Sequence, residues 1–268
     1  VGGIGWVGVA RRCWAGDERG RGRGESEAGN PYGISTGAER TPEEVAARRS
    51  GNGWFRVSPH RDGGIRTDML RRAKEAGFST LILTVDVPVP SRSERQVRSG
   101  LTTPPKLTPR LLAQIAMCPT WARMTASMGA MPRMKLIDDY AGKLTGLSST
   151  QHAGYMLRTS PDWDYVSWLR DAWDGVFFVK GVMNAADAPR LEKAGVDGIW
   201  LSNHAGRQFD ASPAPIEALP AMREATTLPL ILDSGVEGGL DILRAIALGA
   251  DFVMLGRAWH YAPGALDT

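Results

Sequence analysis

A histidine, an arginine and a glycine stand close together in Ser202-Asn203-His204-Ala205-Gly206-Arg207-Gln208-Phe209-Asp210, directly after the apolar run Val196-Asp197-Gly198-Ile199-Trp200-Leu201. Imidazole titrates near neutrality, with an unperturbed pKa of ~6.5, so His204 at a strand end has the chemistry of a general base. As a lone histidine it suits a structural place equally well. Arg207, three residues on, carries a planar fork that can grip a carboxylate through two parallel hydrogen bonds. A base beside a carboxylate clamp suits proton abstraction from a small organic acid.

Other strand ends add to this set. Asp86 closes the run "STLILTVD" (79–86) and could orient and charge-stabilise an imidazole. Lys180, in "GVFFVKGV" (175–182), could stabilise negative charge developing on a cofactor ring. "DSGVEGGLD" (233–241) sets glycines between a strand and a helix, where backbone N–H groups and a helix N-terminus can face an anion. Gly256-Arg257, at the end of the next strand, adds a cation. Either loop taken alone also reads as a tight turn with a surface arginine.

Something must carry these residues to one place, and the chain has a rhythm that would do so. "NPYGIST" precedes a helix opened by Thr41-Pro42-Glu43-Glu44, with threonine as cap, proline in the first turn and Glu44 completing a capping box. A strand from Trp54 to Ser58 leads to a helix from Thr67 to Ala76, stopped by Gly77. Then 79–86, 175–182, 198–204, 228–235 and 251–257 each read as strands, and most are followed by helices. Seven strands from residue 31 onward, with Val1 to Trp6 as the tail of another, predict an α/β fold of the (β/α)8 TIM-barrel type. Polar residues gather at the C-terminal strand ends, the face on which barrels place their chemistry.

The totals exclude a few classes. Among 268 residues, 32 basic and 29 acidic side chains leave a net charge of +3, too small a balance to argue for nucleic acid. Two cysteines, Cys13 and Cys118, give neither a disulfide framework nor a metal cluster, and no metal site is expected. No run approaches the ~20 apolar residues of a membrane span, and the start does not read as a secretory signal. The reading is a cytoplasmic protein, peripheral to the inner face of the membrane if membrane-bound at all.

Two stretches break the rhythm. Residues 11–29, "RRCWAGDERGRGRGESEAG", lack apolar periodicity and read as irregular or disordered; a local shift of reading frame restored near Asn30 would produce such a segment. Residues 96–160 hold six of the ten methionines, with eight Lys or Arg against two Asp, a local +6. This basic insertion suits an active-site lid, a peripheral membrane contact or a partner site, and equally a helical excursion whose methionines pack on the barrel.

The segments "LILTVDVPV", "FVKGV", "GIWLSNHAGRQFD" and "DSGVEGGLDILRAIALGADFVMLGRAWHYA" resemble the FMN-dependent 2-hydroxy acid dehydrogenase and oxidase family, which includes glycolate oxidase, L-lactate dehydrogenase and mandelate dehydrogenase. The resemblance runs from about Asn30 to Ala262, making 1–268 a single FMN-binding barrel domain, and because members of the family extend beyond both ends it implies a barrel incomplete at both ends. It implies that His204 takes the substrate proton, Asp86 partners it and Arg207 binds the carboxylate. It further implies that Ser35, Thr84, Lys180 and Ser202 lie at the flavin, with Asp233, Ser234, Gly235, Gly256 and Arg257 around its phosphate. The reaction implied is oxidation of a lactate-like or mandelate-like L-2-hydroxy acid to the 2-oxo acid, with electrons passed to oxygen, a quinone or a cytochrome. A homo-oligomer is compatible with this reading.

The chain departs from the family pattern at several points. Where the family usually has Trp-Phe-Gln-Leu-Tyr, this chain has Trp54-Phe55-Arg56-Val57-Ser58, so the flavin-contacting glutamine and the substrate-side tyrosine are absent. The second carboxylate-clamping arginine of the family falls on Ser93, with Arg92 and Arg95 alongside; either neighbour could substitute, and Arg92 is taken as the substrate-binding candidate. Ala205 replaces a glycine, and Glu237 stands where an arginine is common. These departures support an alternative expectation: a truncated, non-catalytic barrel that binds FMN or another phosphate ligand.

Overall fold

In a strand, successive side chains point to opposite faces, so a sheet that curls closed buries one set of alternating residues inside and the other beneath its helices. The strands of this chain are apolar on both faces, as such a sheet requires. The structure, a computed structural model, describes residues 2–4, 32–47, 52–87, 94, 98, 108–127, 134–144 and 159–258.

Eight strands form one all-parallel sheet: β1 (Gly2–Ile4), β2 (Tyr32–Ser35), β3 (Gly53–Val57), β4 (Thr80–Thr84), β5 (Val176–Lys180), β6 (Gly198–Leu201), β7 (Leu230–Leu232) and β8 (Phe252–Leu255). Each strand from β2 to β8 pairs with its sequence neighbour, and β1 pairs with β8 rather than β2. That order is a (β/α) barrel. No ladder between β1 and β2 occurs among the described residues.

The helices are α1 (Pro42–Ala46), α2 (Gly63–Glu75), α3 (Pro109–Ala116), α4 (Pro119–Ser127), α5 (Lys135–Leu144), α6 (Trp163–Ala172), α7 (Ala188–Lys193), α8 (Pro215–Ala225) and α9 (Gly239–Ala247). The capping box of α1 is formed, with Thr41 accepting from Glu44 N–H and Glu44 from Thr41 N–H. Helix α2 begins a turn before the expected Thr67, because Asp62 accepts from Ile65 N–H at 2.9 Å and caps an earlier first turn. The strands are shorter than the apolar runs predict: Ser35, Arg56, Thr84 and Lys180 stay in the ladders, while Asp86, Ser202, His204 and Asp233 lie beyond the strand ends.

Two cores follow from the alternation. Inside the barrel, Ile82, Phe178, Trp200, Ile231 and Met254 are buried, with Trp54 and Phe252 packed against them and Trp54 stacked on Phe178 at 6.0 Å. Gly198 makes room for this layer, since a Cβ there would lie 2.0 Å from the Phe178 ring. Outside, Phe55, Leu81, Leu83, Phe177, Val179, Ile199, Leu201, Leu230, Leu232 and Val253 face the helices in the larger core.

The 96–160 insertion divides in two. Helix α5 packs on the barrel through buried Leu136 and Ile137, and is tied to α1 and α2 by Lys135–Glu44 at 2.6 Å, Arg72–Asp139 at 2.9 Å and Tyr140 Oη donating to Asp68 at 2.6 Å. Helix α3 buries no residue and leaves Leu112 and Met117 exposed, at 51% and 74%. The segment 11–29 lies outside the described residues, as do Ser93, Arg95 and the expected clamp Arg92.

Candidate active site

Two residues beyond five of the seven inward residues lies a polar one on the same face. Trp54 is followed by Arg56, Ile82 by Thr84, Phe178 by Lys180, Trp200 by Ser202 and Ile231 by Asp233. The strand period of two therefore turns an apolar plug into a polar floor at the C-terminal end of the barrel. The ladders set the neighbours: Ser35 is opposite Arg56, and Thr84 is opposite Lys180.

Lys180 is buried. Its ammonium donates to Ser202 Oγ at 2.5 Å, pairs with Asp233 at 3.1 Å and lies 5.2 Å from the centre of the Trp200 ring. Burial raises the Asp233 carboxyl pKa, but the Lys180 charge and the Ser202 and Ser234 hydroxyls together outweigh it and hold the group below its ordinary value. Ser234 Oγ donates to Asp233 Oδ1 at 2.7 Å and accepts from Ala205 N–H at 3.0 Å, which ties the loop after β7 to the loop after β6.

That second loop carries His204. Asn203 Oδ1 accepts from Gly206 N–H at 3.2 Å, its amide donates to Pro213 O at 2.9 Å, and Ser202 Oγ accepts from His204 N–H at 3.2 Å. His204 and Ala205 have φ of 52° and 55°, and Ser234 has 76°; among the described residues these are the three non-glycine positions in the left-handed region, and all belong to this cluster.

His204 Nδ1 lies 2.5 Å from Asp86 Oδ2. An ionised carboxylate can only accept, so Nδ1 carries the hydrogen and the neutral ring presents Nε2 as a bare acceptor. Desolvation first, then the Lys180 and Arg56 charges, lower the imidazole pKa and outweigh the opposing pull of Asp86. Asp86 has room because Gly181 has no side chain: a Cβ there would sit 2.6 Å from Asp86 Cβ and Cγ.

Arg56 was legible only as the place of a missing glutamine. It donates through Nε and Nη2 to Ser35 Oγ at 3.2 and 2.6 Å, and its Nη1 lies 3.5 Å from His204 Nε2. The alternation Trp54 to Arg56 was the available signal, since it puts Arg56 on the interior face.

The structure thus brings His204, Asp86, Lys180, Ser202, Asp233, Ser234 and Ser35 together, with Thr84 in register beside Lys180. Arg207 follows at the end of the His204 turn, partly buried. Gly235, with φ of 88°, continues the Ser234 turn. Gly256 and Arg257 stand at the end of β8; Arg257 is exposed, and no hydrogen bond or ion pair among the described residues joins it to the cluster.

A family model described as FMN-dependent dehydrogenase matches residues 3–268. The chain belongs to the FMN-dependent dehydrogenase family. The L-lactate dehydrogenase of Acinetobacter baylyi is 40% identical over 250 residues, covering 90% of this chain and 65% of that protein. The L-lactate dehydrogenase of Alcaligenes faecalis is 39% identical over 252 residues, covering 90% and 66%. The chain therefore spans about two thirds of the length of these curated relatives. The crystal structure of the monotopic membrane protein (S)-mandelate dehydrogenase superposes with a TM-score of 0.90 at 32% identity, over 98% of this chain and 70% of that one.

The residues present fit the cofactor that gives the FMN-dependent dehydrogenase family its name. Thr84 Oγ1 is buried at the end of β4 with no hydrogen-bond partner among the described residues. A Cβ built on Gly235, Gly238, Gly239 or Gly256 meets nothing within 4 Å, so backbone can approach a phosphate group there without obstruction. Glu237, the residue at odds with a phosphate, is exposed, and its N–H is taken by Asp241 Oδ2 at 3.1 Å, which removes one amide from the loop's supply.

Proposed function

We propose that this chain carries the active site of an FMN-dependent oxidation of a small L-2-hydroxy acid, lactate-like or mandelate-like, to the 2-oxo acid. The observation that carries the reading is the 2.5 Å contact between His204 Nδ1 and Asp86, which leaves Nε2 as an unprotonated acceptor at the strand ends. Bound FMN supplies the two-electron acceptor. Ser35, Thr84, Lys180 and Ser202 would hold its ring system, and the Asp233 to Gly235 loop with Gly256 and Arg257 would hold its phosphate.

The protein's own part is proton handling and positioning. Nε2 of His204 receives the substrate proton, and Asp86, fixed on the far side of the ring, stabilises the imidazolium that results. Arg207 offers the carboxylate a bidentate partner, with Arg92 as a further clamp. Lys180, anchored by Asp233 and Ser202, keeps a positive charge against the place where the flavin would become electron-rich.

Helix α3, with Leu112 exposed, Arg110 exposed on it and Arg123 exposed on the adjoining α4, is the part suited to a peripheral membrane contact. No helix among the described residues is long and apolar enough to cross a membrane.

The test is FMN titration followed by anaerobic mixing with L-lactate or L-mandelate. The FMN-loaded chain should be reduced, while His204→Ala should bind FMN nearly as well and lose reduction. Equal reduction rates in the variant and the parent would remove His204 from the mechanism. FMN binding with no reduction by any 2-hydroxy acid would favour the non-catalytic, ligand-binding reading.

A further inference from the structure

Arg56 presents a charge that its described surroundings leave unmatched. A guanidinium has five N–H donors and no acceptor. Two of them share a single neutral hydroxyl, Ser35 Oγ, and a third reaches His204 Nε2 only at 3.5 Å. The two nearest sources of negative charge are already engaged: Asp86 with His204 at 2.5 Å and Asp233 with Lys180 at 3.1 Å. Among the described residues no carboxylate lies within ion-pair distance of Arg56. Desolvation accordingly lowers the guanidinium pKa, against the more distant pull of Asp86 and Asp233.

A desolvated cation held in place by a neutral serine is a binding site for an anion. The position of Nη1 says which one. In a 2-hydroxy acid the carboxylate is bonded to the carbon that bears the hydroxyl. A substrate with its hydroxyl or C2 hydrogen at Nε2 therefore has its carboxylate carbon one bond from C2, which puts a carboxylate oxygen in the space that Arg56 borders.

We infer that Arg56 is a carboxylate-binding residue for the substrate, gripping the acid beside His204 Nε2 from the β3 side. The inference rests on the proposed 2-hydroxy acid reading and adds to it a residue where the family usually has glutamine. It also gives Ser35 a second part, that of holding the guanidinium. The substrate class is narrowed to acids whose carboxylate is adjacent to the reacting carbon, since a longer spacer would take the charge away from Nη1.

The experiment uses the FMN-loaded chain and measures pyruvate and benzoylformate binding by calorimetry in the parent, Arg56→Gln, Arg56→Lys and Arg56→Met. Methionine should weaken both ligands about 10- to 100-fold, the loss appropriate to hydrogen bonds with a charged group. Lysine should recover part of that loss, and FMN affinity should stay within about threefold in each variant. In anaerobic reduction, the substrate concentration for half-maximal rate should rise by a similar factor while the limiting rate falls much less.

The amide of lactic acid, which lacks the anionic carboxylate, supplies an independent check. Replacing lactate with lactamide should cost the parent far more than it costs Arg56→Met, because the two changes remove the same interaction. Equal pyruvate affinity in the parent and Arg56→Met would overturn the inference and leave the 2-hydroxy acid reading standing. A displaced pH profile with unchanged ligand affinity would also overturn it, assigning Arg56 to tuning His204 alone. A parent chain that holds FMN but binds neither oxo acid would overturn both.

Discussion

Asp86 and His204 meet across a strand that contributes neither: they follow β4 and β6, and the end of β5, at Gly181, passes between their points of origin. Gly181 has φ of 100° and lies against Asp86, where an added methyl would stand 2.6 Å from two side-chain carbons. Gly181→Ala should therefore push Asp86 off the imidazole without altering either partner. Flavin reduction is expected to slow by about 10²-fold, the scale of a displacement near 1 Å in a catalytic group, with FMN affinity little changed. Stopped-flow reduction beside fluorescence titration checks this, and an unimpaired rate would mean that Asp86 does not need its present seat.

Ala205 is held at φ 55°, ψ 42° in the middle of the His204 turn. A left-handed L-residue costs about 1–2 kcal/mol, and the extra unfolded-state freedom of glycine returns about 0.4–1 kcal/mol. The first outweighs the second, so Ala205→Gly should stabilise the chain by about 0.5–1 kcal/mol. Thermal melting should register a rise of about 1–3 °C. A lower melting temperature would show that the alanine methyl makes a compensating contact.

Two of the described histidines contribute to the acid sensitivity. His204 and His60 both have pKa values below the ordinary 6.5, each chiefly through desolvation. Between 6.5 and their native values the unfolded chain binds protons that the native chain refuses, so their contribution is intact above pH 6.5 and lost as pH falls below it. Asp233, lowered in the native state, adds a further loss only below its ordinary 3.8. Denaturant midpoints should hold steady from neutrality to about pH 6.5 and then decline. The acid limb of substrate-dependent flavin reduction should likewise lie below pH 6.5, and a limb at or above that value would contradict the depressed imidazole.

Membrane contact through α3 gives a separate prediction. The chain should co-sediment with anionic vesicles in a salt-sensitive manner, and Leu112→Glu with Met117→Glu should remove most of that binding while leaving FMN affinity unchanged. Vesicle binding that survives both substitutions would place the contact elsewhere.

Much of this arrangement was legible in the sequence, for a physical reason. Strand ends are marked by the switch from apolar to polar, and the polar residues at the switch, Asp86, Lys180, His204 and Asp233, are the candidates that the fold brings into one cluster. What stayed hidden depends on three-dimensional neighbours. Arg56 sits in an ordinary alternating strand, and only the Ser35 register and the approach of His204 mark it out as a site candidate. The left-handed turn at His204 and Ala205 has no glycine at either position to announce it. The early start of α2 was missed because Asp62, a single capping side chain, moved the boundary by a turn.

The distance along the chain between Asp86 and His204 has a consequence for folding. They are 118 positions apart, and the ladders β4–β5 and β5–β6 must both be in place before the imidazole can find its carboxylate. Closing so long a loop is entropically costly and rewarded late. Secondary structure can therefore return on refolding well before His204 meets Asp86, and recovery of that contact marks the end of the folding reaction.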